Sequence, residues 1–146
     1  MSHNEKVITT LKQALADSYA LYLKTQNYHW NVTGHNFHSL HNMFEGQYLD
    51  LAEAIDEIAE RIRTLGDKCP GSFAEFDNST NIITGNENAG ADDMVADLAA
   101  DNNYIAVEFK KFMLIAQEQH DEATADLFIK RIEVHEKNAW MLTSSL

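Results

Sequence analysis

The sequence is short of proline, glycine, cysteine and positive charge, and each shortage excludes something. There is one proline, Pro70, and there are only six glycines in 146 residues. Most of the glycines fall in the stretch 66–90, so long uninterrupted helices are expected on either side of it. The single cysteine, Cys69, excludes an internal disulfide and is compatible with a reducing cytoplasm, where the chain is expected to reside. No run approaches the roughly 20 apolar residues that span a bilayer, so no membrane helix is expected. The first residues, Met1 to Lys6, lack the charged-then-apolar pattern of a secretory signal. Lysine and arginine number 11 against 23 aspartate and glutamate, for a net charge of −12. Such a chain repels nucleic-acid phosphates and attracts cations, although a merely solubilising surface carries the same signature.

What is present is helical periodicity. A first segment covers residues 4–32, with Ile8, Leu11, Leu15 and Tyr22 in heptad-like spacing and His29 on the same line. Thr33 and Gly34 end it. A second segment covers 36–65, with a regular stripe of Phe37, Phe44, Tyr48, Leu51, Ile55, Ile58, Ile62 and Leu65, and Gly66 as a capping glycine. Residues 67–90 read as a connection with one short helix near 72–76 that docks Phe73 and Phe76. A third segment, 91–119, carries Met94, Leu98, Ile105, Phe109, Phe112 and Ala116. A fourth, 121–143, carries Phe128, Ile132, His135, Ala139 and Leu142. The tight turn between the last two predicts antiparallel neighbours, and the long connection predicts a crossover. The expectation is an all-α single domain over residues 1–146. Its architecture is a ferritin-like four-helix bundle whose crossover carries a short helix between helices two and three.

A metal site inside one such bundle commonly uses Glu-x-x-His pairs, and none occurs in this sequence. The candidates are instead His29, His41, Glu45, Asp56 and Glu60, imidazoles and carboxylates of the kind that bind iron. A short loop separates His29 from His41, so antiparallel packing can bring the two rings together. Glu45 follows His41 by one helical turn, and Asp56 and Glu60 form another i,i+4 pair. His41 and Asp56 are about 22 Å apart at 1.5 Å per residue, too far to share a metal within one chain. A two-fold axis that sets two copies of the second helix antiparallel can unite them, with two sites per dimer. Counting about 100° per residue from His41, the apolar stripe centres near 300°, whereas Glu45, Asp56 and Glu60 fall near 40°, 60° and 100°. Ala52 and Ala59 share that flank and permit close approach. Taken singly, each residue has a plainer reading. His29 and His135 suit a core, Trp30 does too, and Asp56 and Glu60 suit a solvated face with Arg61, Arg63 or Lys68 as partners. His35 and His38 suit a solvated turn.

His29, Trp30, Asn31, Val32, Thr33 and Gly34, then Phe37, His41, Phe44 and Glu45, then Asp56, Ala59, Glu60 and Arg61, together resemble the motif of the Dps family, the mini-ferritins. Trp140 fits as well, and the resemblance covers nearly the whole chain. It implies intersubunit di-iron sites in which His29, His41 and Glu45 of one subunit bind iron with Asp56 and Glu60 of the two-fold partner. Glu45 stands where the family commonly has aspartate, a departure that bears on occupancy of a second metal position. The resemblance places Trp30 beside the iron, as a quencher of oxidising intermediates. It implies a hollow dodecamer, iron (Fe²⁺/Fe³⁺) as cofactor, and a ferroxidase that prefers hydrogen peroxide to dioxygen and stores ferric mineral. Acidic residues at the start of the fourth helix, Asp121 and Asp126, would line a pore for iron uptake; ordinary helix N-terminal acids are the alternative. Some family members compact DNA through lysine-rich tails. Here the first dozen residues hold only Lys6 and Lys12, and Thr143 to Leu146 hold no basic residue. Direct DNA binding is therefore not expected. A surface-exposed, immune-active role is the other alternative.

Overall fold

The computed structural model describes residues 3–146, and among the described residues the only regular elements are five helices: α1 (His3–Asn31), α2 (Phe37–Thr64), α3 (Phe73–Ser79), α4 (Ala91–Glu118) and α5 (Glu122–Thr143). The breaks fall where the backbone requires them. Gly34 has φ +109° between α1 and α2, and Gly66 has φ +101° just beyond α2, left-handed values that a Cβ disfavours.

Ion pairs between helices fix their directions. Arg61 reaches Asp121 and Arg131 reaches Asp50, so α5 runs antiparallel to α2. Lys24 reaches Asp97 and Asp101, and Tyr28 also reaches Asp97, so α4 runs antiparallel to α1. Helices α2 and α4 therefore point the same way, and the chain must travel the length of the bundle, about 40 Å, to begin α4. That is why residues 65–90 form a long crossover.

The crossover is tied down by a buried carboxylate on α1. Asp17 accepts hydrogen bonds from Thr80 Oγ1 and the Asn81 N–H, both at 2.8 Å, and from Gln13 Nε2 at 3.1 Å. Ser72 caps α3 by accepting from the Glu75 N–H. Gly85 lies so close to α1 that a Cβ there would stand 3.1 Å from Lys24 Cγ and 3.2 Å from Tyr28 Cε1.

Between the helices, Leu11, Leu15, Phe44, Leu51, Ile58, Ile62, Leu98, Ile105, Phe109, Phe128 and Leu142 are wholly buried. Each contributes about 1.5–3 kcal/mol relative to exposure. Two expectations need correction. Phe73 does not dock: as the first residue of α3 it points outward, 75% exposed, and only Phe76 inserts, stacked on Tyr19 at 4.9 Å. The stripe on α2 is also narrower than its pattern, because Phe37 is exposed while Leu40 and Gln47 are buried.

Candidate metal centre

The turn at Gly34 returns α2 against α1 so that His29 and His41 stack face to face, ring centroids 3.8 Å apart and planes 15° from parallel. Their hydrogen bonds are reciprocal. His29 Nδ1 lies 2.7 Å from the His41 carbonyl, and His41 Nδ1 lies 2.7 Å from the His29 carbonyl. A carbonyl oxygen only accepts, so each Nδ1 carries the proton and donates it. Each Nε2 is left with its lone pair. A carbonyl that holds the Nδ1 proton fixes the tautomer and the ring orientation, which presents Nε2 to a metal. His29 is buried; the Tyr48 ring lies edge-on to it at 5.2 Å, and the Phe37 ring stacks on His41 at 5.0 Å.

Glu45 is half-buried one turn along α2, whereas Asp56 and Glu60 are exposed. The basic residues that might have neutralised them are engaged elsewhere. Arg61 Nε donates to Thr124 Oγ1 at 2.9 Å and its Nη2 to Asp121 at 3.0 Å, while Arg63 donates to the Asp67 carbonyl. Among the described residues no ion pair engages Glu45, Asp56 or Glu60. Because α2 is one continuous helix, the separation of about 22 Å from His41 to Asp56 stands. Accordingly, no three His, Cys, Asp or Glu side chains of the described chain converge on a point that could hold a metal. The structure thus brings His29 and His41 together with Glu45 nearby, and leaves Asp56 and Glu60 far off on the same helix. Two imidazole nitrogens with carboxylate oxygens form a donor set that suits Fe²⁺.

Trp30 departs from a core reading: it is 61% exposed. It rims a cavity of about 450 Å³ between α1 and the crossover, lined also by Tyr19, Leu23, Phe73, Ile82 and Ile83, which excludes His29 and His41. Leu49, on the same α2 flank as the carboxylates, is 53% exposed. Tyr22 and Tyr48 escaped the search for ligands, yet they sit seven residues before His29 and seven after His41 and touch one another at 5.8 Å.

The two acids at the start of α5 differ. Asp121 is its N-cap, accepting from the Thr124 N–H at 3.0 Å and Thr124 Oγ1 at 2.6 Å. Burial pushes its carboxyl up, but the Thr124 hydrogen bonds and the Arg61 charge outweigh that and hold it below its ordinary value. Asp126 is exposed and meets only Lys130, at 3.6 Å. His135 is a core residue. Its Nδ1–H donates to Asn102 Oδ1 at 2.8 Å, and Arg131 Nη2 donates to its Nε2 at 3.2 Å.

Comparison with known proteins follows the same lines. Residues 8–146 match the family described as the ferritin-like domain. The chain is 39% identical to DNA protection during starvation protein 2 of Bacillus anthracis, over 98% of both chains. The crystal structure of Dps from Staphylococcus aureus superposes with a TM-score of 0.96 at 32% identity, covering 100% of this chain and 98% of that one. A Dps protein from Vibrio cholerae O1, described as a member of a broad superfamily of ferritin-like diiron-carboxylate proteins, superposes with a TM-score of 0.93 at 31% identity, covering 97% and 89%.

Proposed function

Since the chain belongs to the Dps family of ferritin-like proteins, we propose that it is a ferroxidase whose sites are shared between two copies and whose product is stored in a hollow dodecamer. His29, His41 and Glu45 of one protomer hold Fe²⁺ together with Asp56 and Glu60 of its partner. The observation that carries this reading is the reciprocal pinning of the two imidazoles. It leaves two Nε2 lone pairs free, and among the described residues no set of three ligand groups within the one chain converges to complete the site. The carboxylates that could complete it stand unpaired on the flank that a second α2 would face, beside Ala52, Ala59 and the exposed Leu49. The superfamily description of the Vibrio cholerae relative, diiron-carboxylate, supports iron as the substrate.

In this reading Fe²⁺ gives its electrons to hydrogen peroxide or, second, to dioxygen. Two electrons delivered to one peroxide yield two hydroxides and avoid the one-electron route to hydroxyl radical. The carboxylates favour the hard Fe³⁺ product, which hydrolyses to mineral inside the shell. Protection of DNA is then indirect, through removal of iron and peroxide. Asp126, exposed and weakly paired, is the better of the two candidates for guiding cations through a pore; Asp121 is spent on its cap.

Subunit mixing tests the shared site. One variant carries His29→Ala and His41→Ala, another Asp56→Ala and Glu60→Ala. Each alone loses rapid peroxide-dependent Fe²⁺ oxidation, because each removes half of every site. In a mixed dimer one site lacks all four groups and the other keeps all four, so about half of the sites recover by two-fold counting. Verified heterodimers that stay inactive rule out sharing across the axis.

A further inference from the structure

Phe37 continues the apolar spacing of α2 in sequence, yet it is 41% exposed and takes no part in the buried core. What it covers instead is an imidazole. The Gly34 turn, with φ +109°, brings the Phe37 N–H to the Gly34 carbonyl at 3.1 Å, and α2 begins at this residue. His41 follows four residues on, one turn along the same face. The Phe37 ring stacks on it, with centroids 5.0 Å apart and planes 23° from parallel. His29 at 3.8 Å already fills one face of the His41 ring, so Phe37 occupies the other. Phe37, His41 and His29 thus form one stack, and the Tyr48 ring closes its inner end edge-on.

We propose that Phe37 is a positioning residue of the metal centre: stacked on the outer face of His41, it fixes the direction of the His41 Nε2 and strengthens Fe²⁺ binding without touching the ion. The proposal rests on the reading of His41 as an iron ligand. The two imidazoles are held unequally. His29 is 7% exposed and enclosed by its neighbours, whereas His41 is half-buried. The hydrogen bond from His41 Nδ1 to the His29 carbonyl fixes one atom of the ring. The plane can still tilt about that bond, and a tilt swings Nε2, on the far side of the ring, away from a metal. Contact on both faces removes the tilt, and only Phe37 supplies it on the outer face. The ring also has an electrostatic part to play. An imidazole bound to Fe²⁺ carries some of the ion's charge, and the face of an aromatic ring is negative. The stack therefore favours the metal-bound form over the free one. An aliphatic side chain of similar bulk covers His41 but lacks that attraction.

The test titrates the assembled protein with Fe²⁺ anaerobically and then follows peroxide-dependent oxidation over a range of Fe²⁺ concentrations. Phe37→Ala is expected to raise the Kd for Fe²⁺ about tenfold, the loss typical when a support of a metal-bound histidine is removed. Phe37→Leu keeps the bulk and is expected to raise it about threefold, the part that belongs to the aromatic face. Phe37→Tyr and Phe37→Trp restore a ring and are expected to bind within about twofold of the parent. The loss falls on the KM for Fe²⁺ more than on kcat, because Phe37 acts on binding of the ion through His41. If Phe37→Ala does not assemble, the contrast between Phe37→Leu and Phe37→Tyr decides. A Phe37→Leu protein that binds Fe²⁺ as tightly as the parent overturns the stacking role and leaves the shared site standing. Tyrosine and tryptophan variants that bind as weakly as the leucine variant overturn it as well. A parent that binds no Fe²⁺ removes both readings.

Discussion

Each histidine in the bundle is defined by what its second nitrogen does. At His29 and His41 both Nδ1 protons go to a carbonyl, and the free Nε2 is available to a metal. At His135 both nitrogens are used, one donating to Asn102 and one accepting from Arg131. Burial and, second, the Arg131 charge hold the His135 pKa well below 6.5, and Asp50 neutralises that arginine from the far side. The unfolded chain binds a proton at this residue near pH 6.5 and the folded chain does not, so stability is full above that pH and declines as pH falls below it. The decline is at most about 1.4 kcal/mol per pH unit and ends once the folded pKa is passed. His135→Gln is expected to lower stability at pH 7.5 and to flatten this slope, as urea midpoints between pH 7.5 and 5 will read. An unchanged slope assigns the acid sensitivity to another group. At the metal centre, Glu45→Asp shortens one ligand by a methylene, and the expected outcome is a rise in Fe²⁺ bound per subunit in anaerobic titration, from one toward two. An unchanged number removes carboxylate length as the determinant.

Elements turn these residues into a site. Helix α2 is at once the core wall, through Phe44, Leu51, Ile58 and Ile62, and the ruler that keeps His41 and Asp56 apart. Arg61 fastens its far end to the first turn of α5. Asp121→Ala is therefore expected to lower stability by about 1–2 kcal/mol, through loss of a cap and an ion pair. Asp126→Asn should leave stability within about 0.5 kcal/mol yet slow iron uptake if this acid lines a pore. Thermal unfolding and uptake kinetics on the same two proteins separate cap from pore. The helices were legible because glycine, proline and asparagine punctuate the chain and the apolar spacing between them is regular. His29, His41 and Glu45 were legible from loop length and helical phase, and the remoteness of Asp56 from the rise per residue. The outward turn of Phe73 was not, because a seven-residue helix has too little pattern to fix its face. The buried polar pairings of Asp17, Lys24 and Arg131 were not either, since their partners lie 63 to 81 residues away in sequence.

At the scale of the molecule, the single chain leaves several large apolar side chains uncovered. Leu23, Trp30, Leu49, Phe73, Ile83 and Trp140 are all exposed large hydrophobic residues, and Leu49 lies on the flank where a second α2 would pack. Light scattering at micromolar concentration is expected to give about 200 kDa, twelve copies of a 16.5 kDa chain, and a stable monomer would remove both shell and shared site. The proposed assembly would also bear on the relation to DNA. Every copy brings a charge of −12. Binding to duplex DNA draws its affinity from cations that displace counterions at the phosphates, and a strongly negative net charge opposes it. Two of the basic groups are held inside the bundle, where Lys24 is enclosed by Asp97 and Asp101 and Arg131 is buried against Asp50. The assembled protein is accordingly expected not to retard duplex DNA at physiological salt and neutral pH, with a chelator present to prevent divalent ions from bridging two acidic surfaces. A shift that survives the chelator and weakens steeply with added salt would reveal a cationic surface that a single copy does not present, and would overturn the expectation.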